Sequence, residues 1–417
     1  MLMRVVVSIT LAQIFGLVLG LAEAAVTPAQ KCAATKVAAA GKKAAARLIC
    51  AKDFILTGDG SREAACLTKA DQIFSTAIQR AEAKGGCVVT GDAATLEIDV
   101  DGFTTLVVNA EPASSPVCGT FLTSWGSAGT GDGQFNLPNG IAVDGSGNVF
   151  VLDDVQVQKF TNNGTFLTRW GSPGTGAGQL DSANGIAVDG SGNVFVTERF
   201  ADRVSKFDNT GTFLFTFGWG VKDGAMAFEI CTSGCQGGYG GGGPNGDGEL
   251  NLPLGVAVDN SGNVFVVDSG NSRIQEFANT GEFLAKWDIM ESGDGAFGAA
   301  VDGSGNVFVT DDINNLVLKF TNSGTFLTEW GGAGTGDGRF MGPAGGAVDG
   351  SGNVFVADVS NQRIQKFTNI GTFLTTWGTP GFGDGQFGAP VGVAVDGSGN
   401  VFVADDLNHR VQKFACP

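Results

Sequence analysis

The sequence predicts a mainly β protein: a six-bladed propeller of four-stranded antiparallel blades with 1+3 strand closure, preceded by a small α-helical hairpin domain. Three observations predict it. The phrase AVDGSGNVFV begins at Ala142 and recurs at Ala187, Ala257, Ala300, Ala347 and Ala394, with Asn260 as the single changed letter. Its aspartates, Asp144, Asp189, Asp259, Asp302, Asp349 and Asp396, lie 45, 70, 43, 47 and 47 residues apart, and a period near 45 is that of propeller blades. Glycine reaches 67 residues without a three-residue period, which fits many tight turns between short strands.

The chain opens with Arg4, an apolar run from Val5 to Leu21, and Ala22-Glu23-Ala24 as a small-residue cleavage pattern. This reads as a secretory signal over 1–24. The competing reading is an uncleaved anchor helix, since roughly 17 apolar residues approach the spanning minimum. Secretion, or a place in the cell envelope, fits the eight cysteines, an even number suited to an oxidising compartment.

Residues 25–110 change composition, with more Ala and Lys and fewer aromatics. Thr27-Pro28 opens a first helix that runs to about Leu56, and Thr57-Gly58-Asp59-Gly60 is a turn. Ser61 caps a second helix, which Gly85-Gly86 end. Cys32 and Cys50 are 18 residues apart, five helical turns, so they share a face. Folding at Asp59 brings Cys50 beside Cys66 and Cys32 beside Cys87, which predicts two nested disulfides across the hairpin. Leu96, Val100, Phe103 and Val107 recur at helical spacing and suggest a third helix. Residues 111–117 read as a linker.

The propeller occupies 118–417. One unit divides into strand a (GVAVD), a tight GSG turn, strand b (NVFVAD), strand c (RIQKF), a T-N-x-G turn and strand d (GTFLTTW). Strict alternation is what half-buried antiparallel strands need. The Asp and Asn flanking the GSG can bond the free backbone groups of the turn, whereas DGSGN carries only part of a calcium loop's oxygen set. A strand d at Gly119 precedes any strand a, and the last a-b-c set has no strand d after it. The ring must therefore close by pairing Gly119–Trp125 with Val411–Phe414. Superposed on an unbroken turn, Cys416 falls where Asn162 sits and Cys118 where Asn163 sits, so a disulfide would replace the missing peptide link. Closing a loop of that length contributes roughly 4–5 kcal/mol in the chain-entropy model. Trp125, Trp170, Trp287, Trp330 and Trp377, with Phe217 in blade two, hold one strand-d position and read as inter-sheet packing.

NLPNGIAVDGSGNVFV (136–151) and VADVSNQRIQKFTNIG (356–371) together resemble the NHL-repeat family, and Asn408-His409-Arg410 sits at the family's name-giving point. The resemblance spans Cys118 to Cys416. It implies a six-bladed propeller and leaves function open, because the family and its relatives include amidating lyases, RNA-binding modules, partner-binding domains and gluconolactonase-like hydrolases. The lyases place several histidines on zinc, but this chain has one His in all, His409, in the slot that holds Ser272, Asn315 and Gln362 elsewhere. Lactonase chemistry uses calcium held by carboxylates and Asn in the central channel, where this chain's strands a are small and apolar. RNA binding needs a basic footprint; here the formal charge is −17, all of it C-terminal of residue 117.

Function is expected where the repeat departs from itself. Blade one shortens its b–c loop to Asp153-Asp154-Val155, and blade four has Leu316 where others have Arg203, Arg273, Arg363 and Arg410. Those arginines sit near Asp268, Asp358 and Asp405 as repeated ion pairs. GDG loops carry Asp132, Asp247, Asp294, Asp337 and Asp384. With Asp153 and Asp154 they form an expected acidic rim on one face, suited to a basic partner or to calcium. The insertion 219–248 accounts for the 70-residue spacing. It holds Tyr239 and a small loop expected to close through Cys231–Cys235, with glycine making it mobile. No catalytic residue, metal ligand or cofactor site is assigned. The sequence supports a secreted, non-catalytic scaffold for a protein or cell-surface partner. The alternatives are a metal-dependent lyase or lactonase, and a structural envelope or matrix component.

Overall fold

The computed structural model describes residues 118–238, 246–289 and 295–416, with Lys69 before them. The signal at 1–24, the helical domain at 25–110 with Cys32–Cys87 and Cys50–Cys66, and the linker at 111–117 otherwise lie outside the described residues. The propeller belongs to the second of the chain's two units, Pro116–Pro417.

Blade one shows the pattern. Strand a is Pro138–Val143, strand b Val149–Asp153, strand c Gln156–Phe160 and strand d Phe166–Trp170, paired in that order. The other strands a are Ala183–Val188, Pro253–Val258, Ala296–Val301, Pro343–Val348 and Pro390–Val395. Each packs beside strand a of the next blade, and the sixth returns to the first. Strand a therefore lines the axis and strand d lies outermost. Blade six is completed by the chain's first strand, Thr120–Trp125, with Phe121 opposite Phe414 and Trp125 opposite Val411. Cys118 and Cys416 are bonded at this seam.

Every residue of each strand b is buried. Alternation explains why: successive side chains point to opposite faces, and here each face meets a different blade. Val149 and Val151 pack with Phe402, Ala404 and Val411 of blade six. Phe150 and Leu152 pack with Val194, Val196 and Phe207 of blade two. A fully buried Phe or Val contributes about 1.5–3 kcal/mol, so hydrophobic matter is concentrated between blades, where it holds the ring shut.

The repeated phrase builds its own turn. In blade one Asp144 Oδ1 accepts the N–H groups of Ser146 and Asn148 at 2.9 and 2.8 Å, and Oδ2 accepts Asn148 Nδ2 at 2.8 Å. The same three bonds recur at Asp189, Asp259, Asp302, Asp349 and Asp396. The five strand-d tryptophans pack their blades on the next. A Cβ added to Gly164 (φ +82°) would lie 2.6 Å from the Trp125 ring, and Gly211, Gly324, Gly371 and Gly119 stand likewise under Trp170, Trp287, Trp330 and Trp377.

The start of the insertion forms a strand, while its glycine run at 239–245 lies outside the described residues. Phe228–Cys231 pairs with Thr216–Trp219 as a fifth strand on the edge of blade two, and Cys231 is bonded to Cys235. The reason lies at Phe217, which is smaller than the tryptophan of other blades. Phe228 and Ile230 join Phe215 and Phe217 against Phe277 of blade three, filling the volume an indole fills elsewhere. Tyr239 lies outside the described residues.

Candidate binding face

The central channel is nearly closed by backbone. Each strand a carries a glycine at its third position: Gly140, Gly185, Gly255, Gly298, Gly345 and Gly392. A Cβ at Gly185 would sit 2.3 Å from the Leu254 carbonyl oxygen, and one at Gly392 2.3 Å from that of Asn139. The remaining space is about 60 Å³, lined by Asn139, Asn184, Phe297 and these glycines among others. Its polar side chains are amides, and Asn139 spends its own on the Ala183 carbonyl and the Gly140 N–H. Among the described residues no His, Cys, Asp or Glu cluster has the make-up of a metal centre.

One end of the propeller carries the b–c and d–a loops, and a repeated clip fastens them together. In blade three Arg273 Nε donates to Asp268 Oδ2 at 2.7 Å, and Gln275 Nε2 to the same oxygen at 2.9 Å. Asp268 Oδ1 accepts the Asn251 N–H at 2.7 Å, and Gln275 Oε1 accepts the Gly248 N–H at 2.9 Å. Arg273 Nη2 donates to the Gly246 carbonyl. The d–a loop is thus strapped over the b–c end of its own blade. Asp358, Arg363 and Gln365 repeat the clip in blade five, as do Asp405, Arg410 and Gln412 in blade six. Blade two uses Glu198, Arg203 and Ser205. Burial pushes the Glu198 and Asp268 carboxyls up, and Arg203 and Arg273 oppose it. Breaking such a pair from one side would cost about 3–5 kcal/mol.

The blades are clipped to one another at the same end. Asn315 Oδ1 accepts the Gly342 N–H, Gln362 Nε2 donates to the Gly388 carbonyl, and His409 Nδ1 lies 2.5 Å from the Asn136 carbonyl across the closure seam. His409 has φ +52° and fills the slot that Gln362 fills in blade five.

The expected rim residues separate into two groups. Asp132, Asp154, Asp247, Asp337 and Asp384 are exposed. Asp132 meets Arg169 at 3.1 Å and Asp247 meets Lys286 at 3.1 Å, both as open surface pairs. Asp153 is a correction: it is 2% exposed, and Oδ1 accepts the Asn136 and Leu137 N–H groups. It is the last residue of strand b and corresponds to Asp268. Blade one's shortened loop makes it look like a loop tip in the sequence. Asp294 and Tyr239 lie outside the described residues.

Sequence reasoning missed the apolar side of this face. The b–c tips of blades two, four and six present Phe200, Ile313 and Leu407, which are 62, 61 and 59% exposed. Blades three and five have Gly270 and Ser360 at that position. The signal was available, since these letters vary while their neighbours repeat.

No helix among the described residues is long and apolar enough to cross a membrane. No curated protein matches the sequence. Among solved structures, an auxiliary nutrient binding protein from Bacteroides thetaiotaomicron aligns with a TM-score of 0.51 at 13% identity, over 72% of this chain and 75% of its own. A streptogramin B lyase aligns at 0.47 and 15%, over 70% and 96%. A gluconolactonase from Xanthomonas campestris aligns at 0.46 and 12%, over 74% and 93%. These likenesses concern fold alone. The NHL-repeat model matches residues 250–277, 340–367 and 387–414. These are blades three, five and six, the blades with the full Asp-Arg-Gln clip. The chain carries NHL repeats, set in a six-bladed β-propeller closed by its own first strand.

Proposed function

We propose that this chain is a non-catalytic binding scaffold, secreted or in the cell envelope, that recognises a protein or cell-surface partner through the b–c and d–a loop face. One observation carries the reading. Four of the six blades hold these loops with buried ion pairs, yet the residues at the tips differ from blade to blade. In repeat proteins such variation on a fixed frame marks the binding surface. Among the described residues the channel lining offers no titratable side chain, which supports binding over turnover.

The test is retention of partners by the immobilised mature protein and by a triple variant, Phe200→Ser, Ile313→Ser, Leu407→Ser. The reading requires a saturable partner that the wild type retains and the variant loses, with both melting alike. Equal retention would defeat it, as would turnover of lactone or amidoglycolate substrates.

A further inference from the structure

We propose that the partner is a cationic polypeptide segment bearing apolar side chains, seated over the channel mouth among the tips of blades two, four and six; this rests on the binding-face reading above. The geometry begins with the b–c loops. The N–H of Arg199 donates to the Ser182 carbonyl, that of Asp312 to Gly295, and that of Asp406 to Ala389. Each bond ties the first residue of a tip to the residue just before its blade's strand a. Strand a lines the axis, so the tips encircle the mouth. Phe200, Ile313 and Leu407 stand on alternate blades and leave three apolar knobs spaced around it. Loops fastened this firmly cannot fold the knobs inward, so their exposure is built in. Exposed apolar residues ringing one mouth among polar ones give apolar side chains of a partner a place to seat.

Charge decides which apolar partner fits. The propeller's 14 basic residues face 31 acidic ones. Most of those bases are spent internally: four arginines in the clips and five lysines between blades at the opposite end. At the mouth the tips carry Asp154, Asp312 and Asp406 against Arg199.

Blade four sharpens the deficit. Its strand b ends in buried Asp311, 1% exposed, but Leu316 and Leu318 stand where blades three, five and six have Arg and Gln. Among the described residues Asp311 accepts from the N–H and amide of Asn314, at 2.8 and 2.9 Å. Burial, then Asp311, push the neighbouring Asp312 carboxyl up, and Arg199 opposes them. The built-in cation of blades two, three, five and six is missing beside the exposed Ile313. A Lys or Arg from the partner supplies it there, while the partner's apolar residues cover the knobs. A second acidic surface would be repelled, and nucleic acid more so.

The experiment uses the mature protein and two labelled amphipathic peptides, one of Lys and Leu and its twin of Glu and Leu, followed by fluorescence anisotropy. The Lys/Leu peptide is expected to bind at least about tenfold more tightly than its twin, with an affinity that falls as salt rises. Asp312→Asn with Asp406→Asn should weaken it roughly three- to tenfold. Phe200→Ser, Ile313→Ser, Leu407→Ser should weaken it further, with melting unchanged. Glu329→Gln, on the outermost strand of blade four, should do nothing. The proposal is overturned if the twins bind alike, if Glu329→Gln weakens binding as much as the mouth variants, or if the Lys/Leu peptide does not bind. If partner retention in the preceding test still depends on the tips, only the cationic chemistry has failed. If it does not, the binding face has failed with it.

Discussion

Replacing Glu276 with Lys should stabilise the propeller. At the end opposite the binding face, each blade's strand c carries a lysine before its last Phe, except in blade three. Lys159, Lys206 and Lys319 donate to the carbonyls of Asn209, Asn279 and Asn369 in the next blade's c–d turn, at 3.0, 2.9 and 3.0 Å. Lys413 reaches Asn162, and Lys366 reaches Cys416 Sγ. Each ammonium also lies over a strand-b ring, as Lys319 does over Phe308 at 4.9 Å. Lys206, Lys319 and Lys366 lie 3.9, 3.7 and 3.4 Å from the aspartate of their own a–b turn. In blade three the residue is Glu276, beside Phe265 and Asp259, and burial and then Asp259 push its carboxyl up. The substitution gains a charged hydrogen bond, about 1.5–3 kcal/mol, and a cation–π contact of about 0.5–1 kcal/mol. Fixing a long side chain removes part of this, which leaves a net gain of ~2 kcal/mol. At about 2–4 °C per kcal/mol for large domains, Tm should rise by roughly 4 °C or more at neutral pH.

The pH dependence gives this prediction a second arm. A carboxyl raised in the folded state contributes stability that is fully present below its unfolded pKa, ~4.3. That stability is lost as pH rises through the folded value. Wild type is therefore penalised at neutral pH and relieved in acid, so the Tm advantage of Glu276→Lys should widen from pH 4 to pH 7. Differential scanning calorimetry at both pH values checks this, with the other carboxylates cancelling in the difference. An unchanged or lower Tm at pH 7, or a gap that does not widen with pH, would refute the equivalence of the slots.

Two further outcomes follow from the packing. Cys118→Ser with Cys416→Ser should destabilise the propeller by up to roughly 4–5 kcal/mol, read as a lower denaturant midpoint in non-reducing urea melts; an unchanged midpoint would mean that the paired strands alone hold the seam. Gly185→Ala should cost about 1–3 kcal/mol by overpacking, because its Cβ would meet the Leu254 carbonyl oxygen at 2.3 Å. Gly190→Ala, with nothing within 4 Å, should leave the melt within error, and equal effects at the two sites would exclude the strand-a contact as the cause.

The blade was legible in the sequence because its determinants are local. The Asp-to-Asn turn, the alternating strand b and the T-N-x-G turn each close within a few residues. The ring closure was legible because strands can be counted, leaving Thr120–Trp125 with Val411–Ala415 as its partner. What stayed hidden depends on contacts across blades. The strand-a glycines read as turn-prone residues until Leu254 O is found against Gly185. Phe228–Cys231 is too short a run to declare itself a strand, and its cause, the smaller Phe217, lies in a different strand of the blade. Asp153 was misplaced because its neighbours were compared with loops rather than with Asp268.

The same distinction locates the candidate site. Blades three, five and six match the repeat model and carry the complete clip, so their sequence is largely explained by holding the ring together. Blades one, two and four depart from it. Two of these departures have structural compensation: Glu198 keeps its arginine in blade two, and Gln156 donates to Asp153 at 3.1 Å in blade one. Blade four keeps the buried acid and gives up the base. Asp311 and half-buried Asp312 place two carboxyls beside exposed Ile313 with Leu316 in the arginine slot, and that is where a cation brought by a partner would sit.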